Sequence, residues 1–223
     1  MDKVCVVIAA MNAQSTIARA VASALAEREV AEVIVIDDAS AAAAQSADDG
    51  SGRLQVHRAR ANLGPAAARN LAIARSKAPL IAVLDADDAI LPGRFAALAD
   101  PAEDWDMSAD NIIFVSESEA RDFTGLSAFA TGGVAERLDF ARFVAANISH
   151  PARPRGELGF LKPVMRRAFL ERHGLGYDAA MRLGEDFDLY ARMLLAGARF
   201  RLVATCGYVA IERPDSLSAN HRA

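Results

Sequence analysis

Short β-branched runs alternate with Ala-rich, amphipathic stretches through residues 1–90, and that alternation predicts a parallel sheet covered by helices. Four strands are expected there, at residues 4–9, 33–36, 54–57 and 80–84. The first, second and fourth are almost wholly apolar, as strands covered on both faces should be. Between them Ser15 or Thr16 is placed to cap a helix whose Ile17, Val21, Ala24 and Leu25 share one face, and Pro65 to open another that runs to about Ser76. Right-handed crossovers put the carboxyl ends of parallel strands along one edge, where open α/β sheets bind ligands.

After Pro92 the pattern loosens. A strand is expected at residues 112–115, a helix at 138–146 and a Pro/Gly/Arg loop at 149–159. Order returns with helices at about 163–173 and 185–196, the second ended by Gly197, and with strands at 200–204 and 208–211. The expected fold class is α/β, a Rossmann-like, mostly parallel central sheet flanked by helices, with a smaller C-terminal portion.

Composition narrows the function classes. A chain of 223 residues with 52% hydrophobic and 24% charged residues and a net charge of −4 reads as one globular domain with a sizeable core. Basic residues such as Arg166 and Arg167 are interspersed with acids, so no nucleic-acid partner is expected. Cys5 and Cys206 lie in apolar runs near opposite ends and read as small hydrophobes, not as a disulfide framework or zinc site. No run reaches the roughly 18 apolar residues of a membrane span, and residues 4–10 are too short for a signal peptide. The expectation is a cytoplasmic protein, with peripheral contact at the inner face of the plasma membrane left open.

Two acidic clusters follow strands. Asp37 and Asp38 follow the second; either they cap a turn or one accepts hydrogen bonds from a nucleoside base or ribose. Asp85, Asp87 and Asp88 follow the fourth, on the same edge. Helix capping does not need three carboxylates, and their mutual repulsion is relieved by a divalent cation; Mg²⁺ typically uses one or two carboxylates plus phosphate oxygens. A metal-diphosphate site is favoured.

Four blocks carry these residues: VCVVIAAMNAQSTIARAVASAL, EVIVIDDAS, NLGPAAARNLAIARS and APLIAVLDADDAILPGR. In that order they resemble family 2 glycosyltransferases of the GT-A fold. A fifth, LKPVMRRAFLERHGLGYDAAMRLGEDFDLYARMLLAGARF, resembles the acceptor-side half of that family, especially its bacterial exopolysaccharide glucosyltransferase branch of the succinoglycan type. Only residues from Asp100 to about Gly156 lie outside the match. The resemblance implies an inverting transfer from a UDP-sugar, UDP-glucose first, to a glycan or lipid-linked glycan acceptor, with Mn²⁺ or Mg²⁺ as cofactor. It divides the single domain into a nucleotide-sugar-binding half, 1–100, and an acceptor-binding half, 101–223.

The same resemblance implies site residues. Ala9 and Met11 would border the donor, Asp38 would hold the uracil or its ribose, Asp85 would contact the nucleotide sugar, and Asp87 would bind the metal. Met11 departs from the aromatic that the family usually places there. Arg69 would lie near the donor, against a plain salt bridge as its other reading. Glu185 would lie against substrate and Asp186 would be the catalytic base, taking the acceptor's proton; both, with Asp188, also suit the first turn of a helix. His221, in a tail with Arg213, would reach the metal. Lys162 and Arg182 either face an anionic lipid diphosphate or, the favoured reading, solvate the surface, and His57, His150 and His173 have no ligand spacing.

Other classes fit less well. Residues 9–15 contain no glycine, so the pyrophosphate loop of a dehydrogenase is missing. A phosphotransfer enzyme with Asp85 as nucleophile would normally carry its acidic motif after the first strand. A nucleotidyltransferase would carry a glycine- and basic-rich loop there. A non-catalytic sugar-nucleotide-binding scaffold is the alternative from another class.

Overall fold

The apolar runs form the strands that their composition predicts. In the computed structural model, which describes residues 3–43, 48–100, 104–120, 126–148 and 158–212, β1 (Val4–Ala10) lies between β2 (Val30–Asp37) and β4 (Leu80–Val83), and β3 (Leu54–Arg58) flanks β2. All these pairings are parallel. Alternation along β1 sorts the core into two layers, because successive side chains point to opposite faces. Cys5 and Val7 pack with Ala66, Ala68 and Ala72 of α2 (Pro65–Arg75). Val4, Val6 and Ile8 pack with Ile17, Val21 and Ala24 of α1 (Ile17–Leu25) on the other face. Pro65 opens α2 as expected, whereas Thr16 gives α1 no side-chain cap, its hydroxyl donating instead to the Ala13 carbonyl at 3.3 Å.

The second half extends the same sheet. Its elements are β5 (Ala89–Ile90), α3 (Arg94–Leu98), β6 (Met107–Ser116), β7 (Phe129–Ala130), β8 (Glu136–Leu138), α4 (Phe140–Ala146), β9 (Val164–Arg166), α5 (Arg167–His173), α6 (Glu185–Leu195) and β10 (Phe200–Glu212). The strand order is β3-β2-β1-β4-β9-β6-β10-β5, with β7 and β8 also paired to β10. Strand β9 runs antiparallel to both β4 and β6 and so joins the two halves. Among the described residues no helix is long and apolar enough to cross a membrane.

Tertiary pairing overrides local pattern in several places. The helix expected at 163–173 begins only at Arg167, because Val164 and Met165 are buried on opposite faces of the sheet as part of β9. The two C-terminal strands are one bent strand, β10, whose register against β6 shifts between Leu202 and Tyr208. The strand expected at 112–115 begins at Met107, its polar start hidden by the buried Ser108 and Asp110. Leu138 ends β8, and the helix after it starts at Phe140, with Asp139 capping by accepting from Arg142 N at 2.7 Å. The loop expected at 149–159 lies outside the described residues except for its end, where Leu158–Phe160 form a 3-10 turn.

The bend in β10 has a local cause. Arg94 is fully buried; its Nε and Nη2 donate to Asp110 Oδ1 at 2.9 and 2.8 Å, and Nη2 also donates to the Lys162 carbonyl at 2.6 Å. Gly207 passes directly over this pair. A Cβ there would lie 2.8 Å from both Cβ and Cγ of Arg94 and 3.0 Å from Asp110 Oδ2. Gly207→Ala is therefore predicted to lower the unfolding free energy by about 1–3 kcal/mol, the usual cost of overpacking. Urea unfolding measures it, and an unchanged midpoint would contradict the fit described.

Candidate active site

The loops after β1, β2 and β4 open on one edge, and the structure interlocks the first two. Asn12 N donates to Ser40 Oγ at 2.9 Å, and Ala41 N donates to Asn12 Oδ1 at 2.9 Å. Asn12 and Ala39 both adopt the left-handed backbone, with φ of 54° and 57°, which for Ala39 costs roughly 1–2 kcal/mol. Strain of this kind clusters where a ligand site fixes the backbone. Asp37 makes the turn, its Oδ1 accepting from Ser40 N at 3.0 Å.

Asp38 faces the loop that leads into α2. Its Oδ1 accepts from Leu63 N at 2.6 Å, and its Oδ2 accepts from Gly64 N at 2.8 Å and Asn62 Nδ2 at 3.0 Å. Three of a carboxylate's roughly four acceptor positions are thus occupied by the protein. Asn62 Nδ2 also lies 3.1 Å from Sδ of Met11, which is exposed, while Ala9 is half-buried within β1. Arg182, exposed as expected, donates to Asn62 Oδ1 at 3.2 Å and lies where a Cβ on Gly64 would stand.

Deeper in the cleft, five charged side chains from four segments meet. Arg69 of α2 donates from Nη2 to Asp85 Oδ1 at 2.8 Å and from Nη1 to Glu185 Oε1 at 2.5 Å, with Asp186 Oδ1 at 3.4 Å. Lys162 Nζ lies 2.9 Å from Asp85 Oδ2 and 2.6 Å from Asp186 Oδ2. Asp85 follows β4 by two residues, and Glu185 and Asp186 begin α6 behind the left-handed Gly184. Burial works against the charge on Lys162, but Asp186 and Asp85 prevail and hold its ammonium above the usual lysine range. Burial likewise opposes the Asp85 charge, and Lys162 and Arg69 outweigh it, holding the carboxyl well below the usual carboxylate range.

The remaining acids divide by environment. Asp88 turns into the protein, where its Oδ2 accepts from the Tyr208 hydroxyl at 2.7 Å and its Oδ1 from Ile211 N at 2.9 Å. Burial, with Asp85 and Asp87 close by, pushes its carboxyl up to about 7. Tyr208 also accepts from Asp85 N at 3.2 Å, so one phenol fixes both ends of the Asp85–Asp88 turn. Asp87 is half-buried, its carbonyl accepting from Arg19 Nη2 at 2.8 Å. Among the described residues no group of three or more His, Cys, Asp or Glu is arranged to hold a metal ion. The donor chemistry still suits Mg²⁺ or Mn²⁺ held by one carboxylate and the oxygens of a bound diphosphate.

The expected Asp85, Arg69, Glu185 and Asp186 thus come together, with Asp87 two residues from Asp85. His221 and Arg213 lie outside the described residues, as does His150. Lys162 is a correction: expected as solvated surface, it is 6% exposed and holds two carboxylates. Its flanks, Leu161 and Pro163 within an otherwise apolar stretch, were the available signal. Tyr208, and Tyr177 beneath Arg69 with its ring centroid 5.4 Å from the guanidinium carbon, gave none.

A mostly parallel central sheet with acidic turns at its carboxyl edge and an ion cluster reaching across to a second half defines an α/β protein of the GT-A type. Residues 5–165 match the sequence model of glycosyl transferase family 2, and the chain belongs to that family. It is 54% identical over 224 residues to the succinoglycan biosynthesis protein ExoU of Rhizobium meliloti (strain 1021), covering 98% of this chain and 65% of that protein. Identity to the succinoglycan biosynthesis protein ExoO of the same organism is 35% over 219 residues, covering 95% and 61%. The chain therefore spans just under two thirds of the length of these curated relatives. Among solved structures, S. aureus TarS 1-349 in complex with UDP-GlcNAc superposes with a TM-score of 0.69 at 17% identity, covering 99% of this chain and 61% of that one. A second TarS 1-349 structure gives 0.66 at 17%, covering 94% and 60%. At this identity the likeness shows the fold.

The ion cluster also sets an acid limit. A carboxyl held below its unfolded value contributes stability that is complete above the unfolded value and is lost as pH falls toward the folded one. For Asp85 the contribution should therefore be complete above about pH 4 and decline on acidification below it. Urea midpoints between pH 6 and pH 3 should fall less steeply in Asp85→Asn than in the wild type; parallel curves would contradict the assignment.

Proposed function

We propose that the chain is an inverting, metal-dependent hexosyltransferase that moves glucose from UDP-glucose to a hydroxyl of a glycan or lipid-linked glycan in exopolysaccharide synthesis. The observation that supports the reading is the ion cluster, in which Asp85, just after β4, and Asp186, at the start of α6, share the cations of Arg69 and Lys162. The names of the two succinoglycan biosynthesis relatives support the pathway class, and the UDP-GlcNAc complex of TarS supports a UDP-sugar donor. The residues divide accordingly: 1–100 bind the nucleotide sugar and 101–223 the acceptor. The protein works in the cytoplasm, and a lipid-linked acceptor would bring it to the inner face of the plasma membrane.

Asp38 serves the nucleotide by shaping residues 62–64 and offering its remaining acceptor position to the base or ribose. Ala9 and Met11 border the base, and methionine covers a flat apolar face well. Asp87 would hold the divalent cation, with His221 as a further ligand from the tail. When bound, Mn²⁺ or Mg²⁺ supplies charge stabilisation for the departing diphosphate. Asp85 and Arg69 orient the sugar end of the donor beside Glu185, and Asp186 accepts the proton from the attacking hydroxyl.

Two measurements test the binding half. Calorimetry should show that UDP binding needs Mn²⁺ and is lost in Asp87→Ala; equal affinity with and without the ion would remove the metal assignment. UDP should also outcompete GDP and dTDP, and a preference for GDP would overturn the donor class. The chemical half rests on Asp186→Asn, which keeps size and polarity but removes basicity. Sugar transfer should fall by roughly 10²–10⁴-fold, the usual worth of general base catalysis, while UDP affinity changes little. Glu185→Gln and Asp188→Asn are the comparisons; Asp188 pairs with Arg192 at 2.6 Å within α6, so its loss should affect stability alone. Near-normal transfer by Asp186→Asn would move the base elsewhere.

A further inference from the structure

A lysine ammonium enclosed by protein is unfavourable unless opposite charges hold it. Lys162 meets that condition in a particular way, because the two carboxylates on its ammonium come from opposite sides of the cleft, Asp85 Oδ2 at 2.9 Å and Asp186 Oδ2 at 2.6 Å. Its backbone is anchored as well. The Lys162 carbonyl accepts from Arg94 Nη2 at 2.6 Å, Arg94 is tied to the buried Asp110, and Pro163 restricts the residue before it to extended geometry.

The two oxygens of Asp186 are consequently unequal. Oδ2 is engaged by Lys162 at 2.6 Å, whereas the cation nearest Oδ1, Arg69 Nη1, lies at 3.4 Å, beyond the range of a strong hydrogen bond. The other groups that face Asp186 are Glu185 and Tyr190 from α6, and Tyr177 from the segment after α5. Tyr177 and Tyr190 are neutral phenols, the first interacting with Asp186 and the second with Tyr177, so the charges that hold the carboxylate are those of Lys162 and Arg69.

We propose that Lys162 is a positioning residue for the transfer: by holding Asp186 Oδ2 beside Asp85, it leaves Asp186 Oδ1 as the oxygen that takes the acceptor's proton. The inference rests on the reading of Asp186 as the base. In the step itself the acceptor oxygen bonds to the anomeric carbon, and the bond from that carbon to the diphosphate breaks with its electron pair on the diphosphate. The hydroxyl proton moves to Asp186 Oδ1. Protonation neutralises one of the two carboxylates on Lys162, and the ammonium stays on Asp85 at the donor edge. The same cation therefore orients the base before transfer and offsets charge on the donor side after it.

The test uses the full chain with UDP-glucose and Mn²⁺, following UDP release in the presence and absence of added glycan acceptor. Lys162→Met removes the charge at similar length, Lys162→Arg keeps it, and Lys162→Gln replaces Lys162→Met should that variant not fold. The expected result is a fall in kcat of about 10–100-fold in Lys162→Met, part of what a general base is worth. KM for UDP-glucose should stay within about threefold, and Lys162→Arg should recover most of the loss. A lysine that served packing alone would lower the folded fraction and leave kcat per folded molecule unchanged; that result would overturn the proposal, as would equal losses in Lys162→Arg and Lys162→Met. Asp186→Asn separates the two levels of the argument. If it is inactive while Lys162→Met turns over normally, only the positioning role fails; if it is fully active, or the wild type releases no UDP, the reading of the base fails and this inference with it.

Discussion

Arg69 and Lys162 stand between Asp85, Glu185 and Asp186, and the geometry of the cleft depends on that arrangement. The five groups come from α2, the turn after β4, the segment before β9 and the start of α6, so the contacts tie the two halves of the chain together. Burying ion pairs is a poor way to gain stability, since apolar replacements of similar volume often serve as well or better. A cluster with three carboxylates and two cations beyond the carboxyl ends of β1, β2 and β4 is the kind of arrangement that recurs at functional sites. Loss of either cation would leave carboxylates from opposite halves close together and under-compensated.

A second buried layer carries the first. Arg94 and Asp110 lie below the cluster and hold it at two points, through the Lys162 carbonyl and through Tyr208, whose ring centroid is 5.2 Å from the Arg94 guanidinium carbon. Tyr208 in turn accepts from Asp85 N and donates to Asp88. The bend of β10 at Gly207 belongs to the same layer, since only a residue without a side chain passes so close to Arg94 and Asp110. The long C-terminal strand is therefore part of the site, although it contributes no carboxylate to it.

The parallel half of the fold was legible because its strands are buried on both faces and read as unbroken apolar runs. The three acids after β4 were visible for a related reason, since capping a turn does not need three carboxylates, whereas Asp37 and Asp38 also suited a turn, and Asp37 makes one. The rest was hidden by long-range pairing. Val164 and Met165 precede a helix and look helical, and only the vacant place between β4 and β6 makes them a strand. Lys162 looks like any lysine until Asp85, 77 positions earlier, and Asp186, 24 positions later, are brought against it. Nothing in the local sequence of Arg94 and Asp110 shows that each is buried against the other.

Membership of glycosyl transferase family 2 and the geometry of the cluster meet in one claim: the donor binds so that its reacting carbon lies between Asp85 and Asp186. A crystal structure of the chain with UDP-glucose and Mn²⁺ measures this most directly. The account predicts the uracil beside Asp38 and Met11, the metal and diphosphate at Asp87, and the anomeric carbon within reach of a hydroxyl that hydrogen-bonds Asp186 Oδ1, with Lys162 still on Oδ2. A nucleotide sugar bound away from the Asp85–Asp88 turn, or a sugar whose anomeric carbon faces away from Asp186, would contradict it.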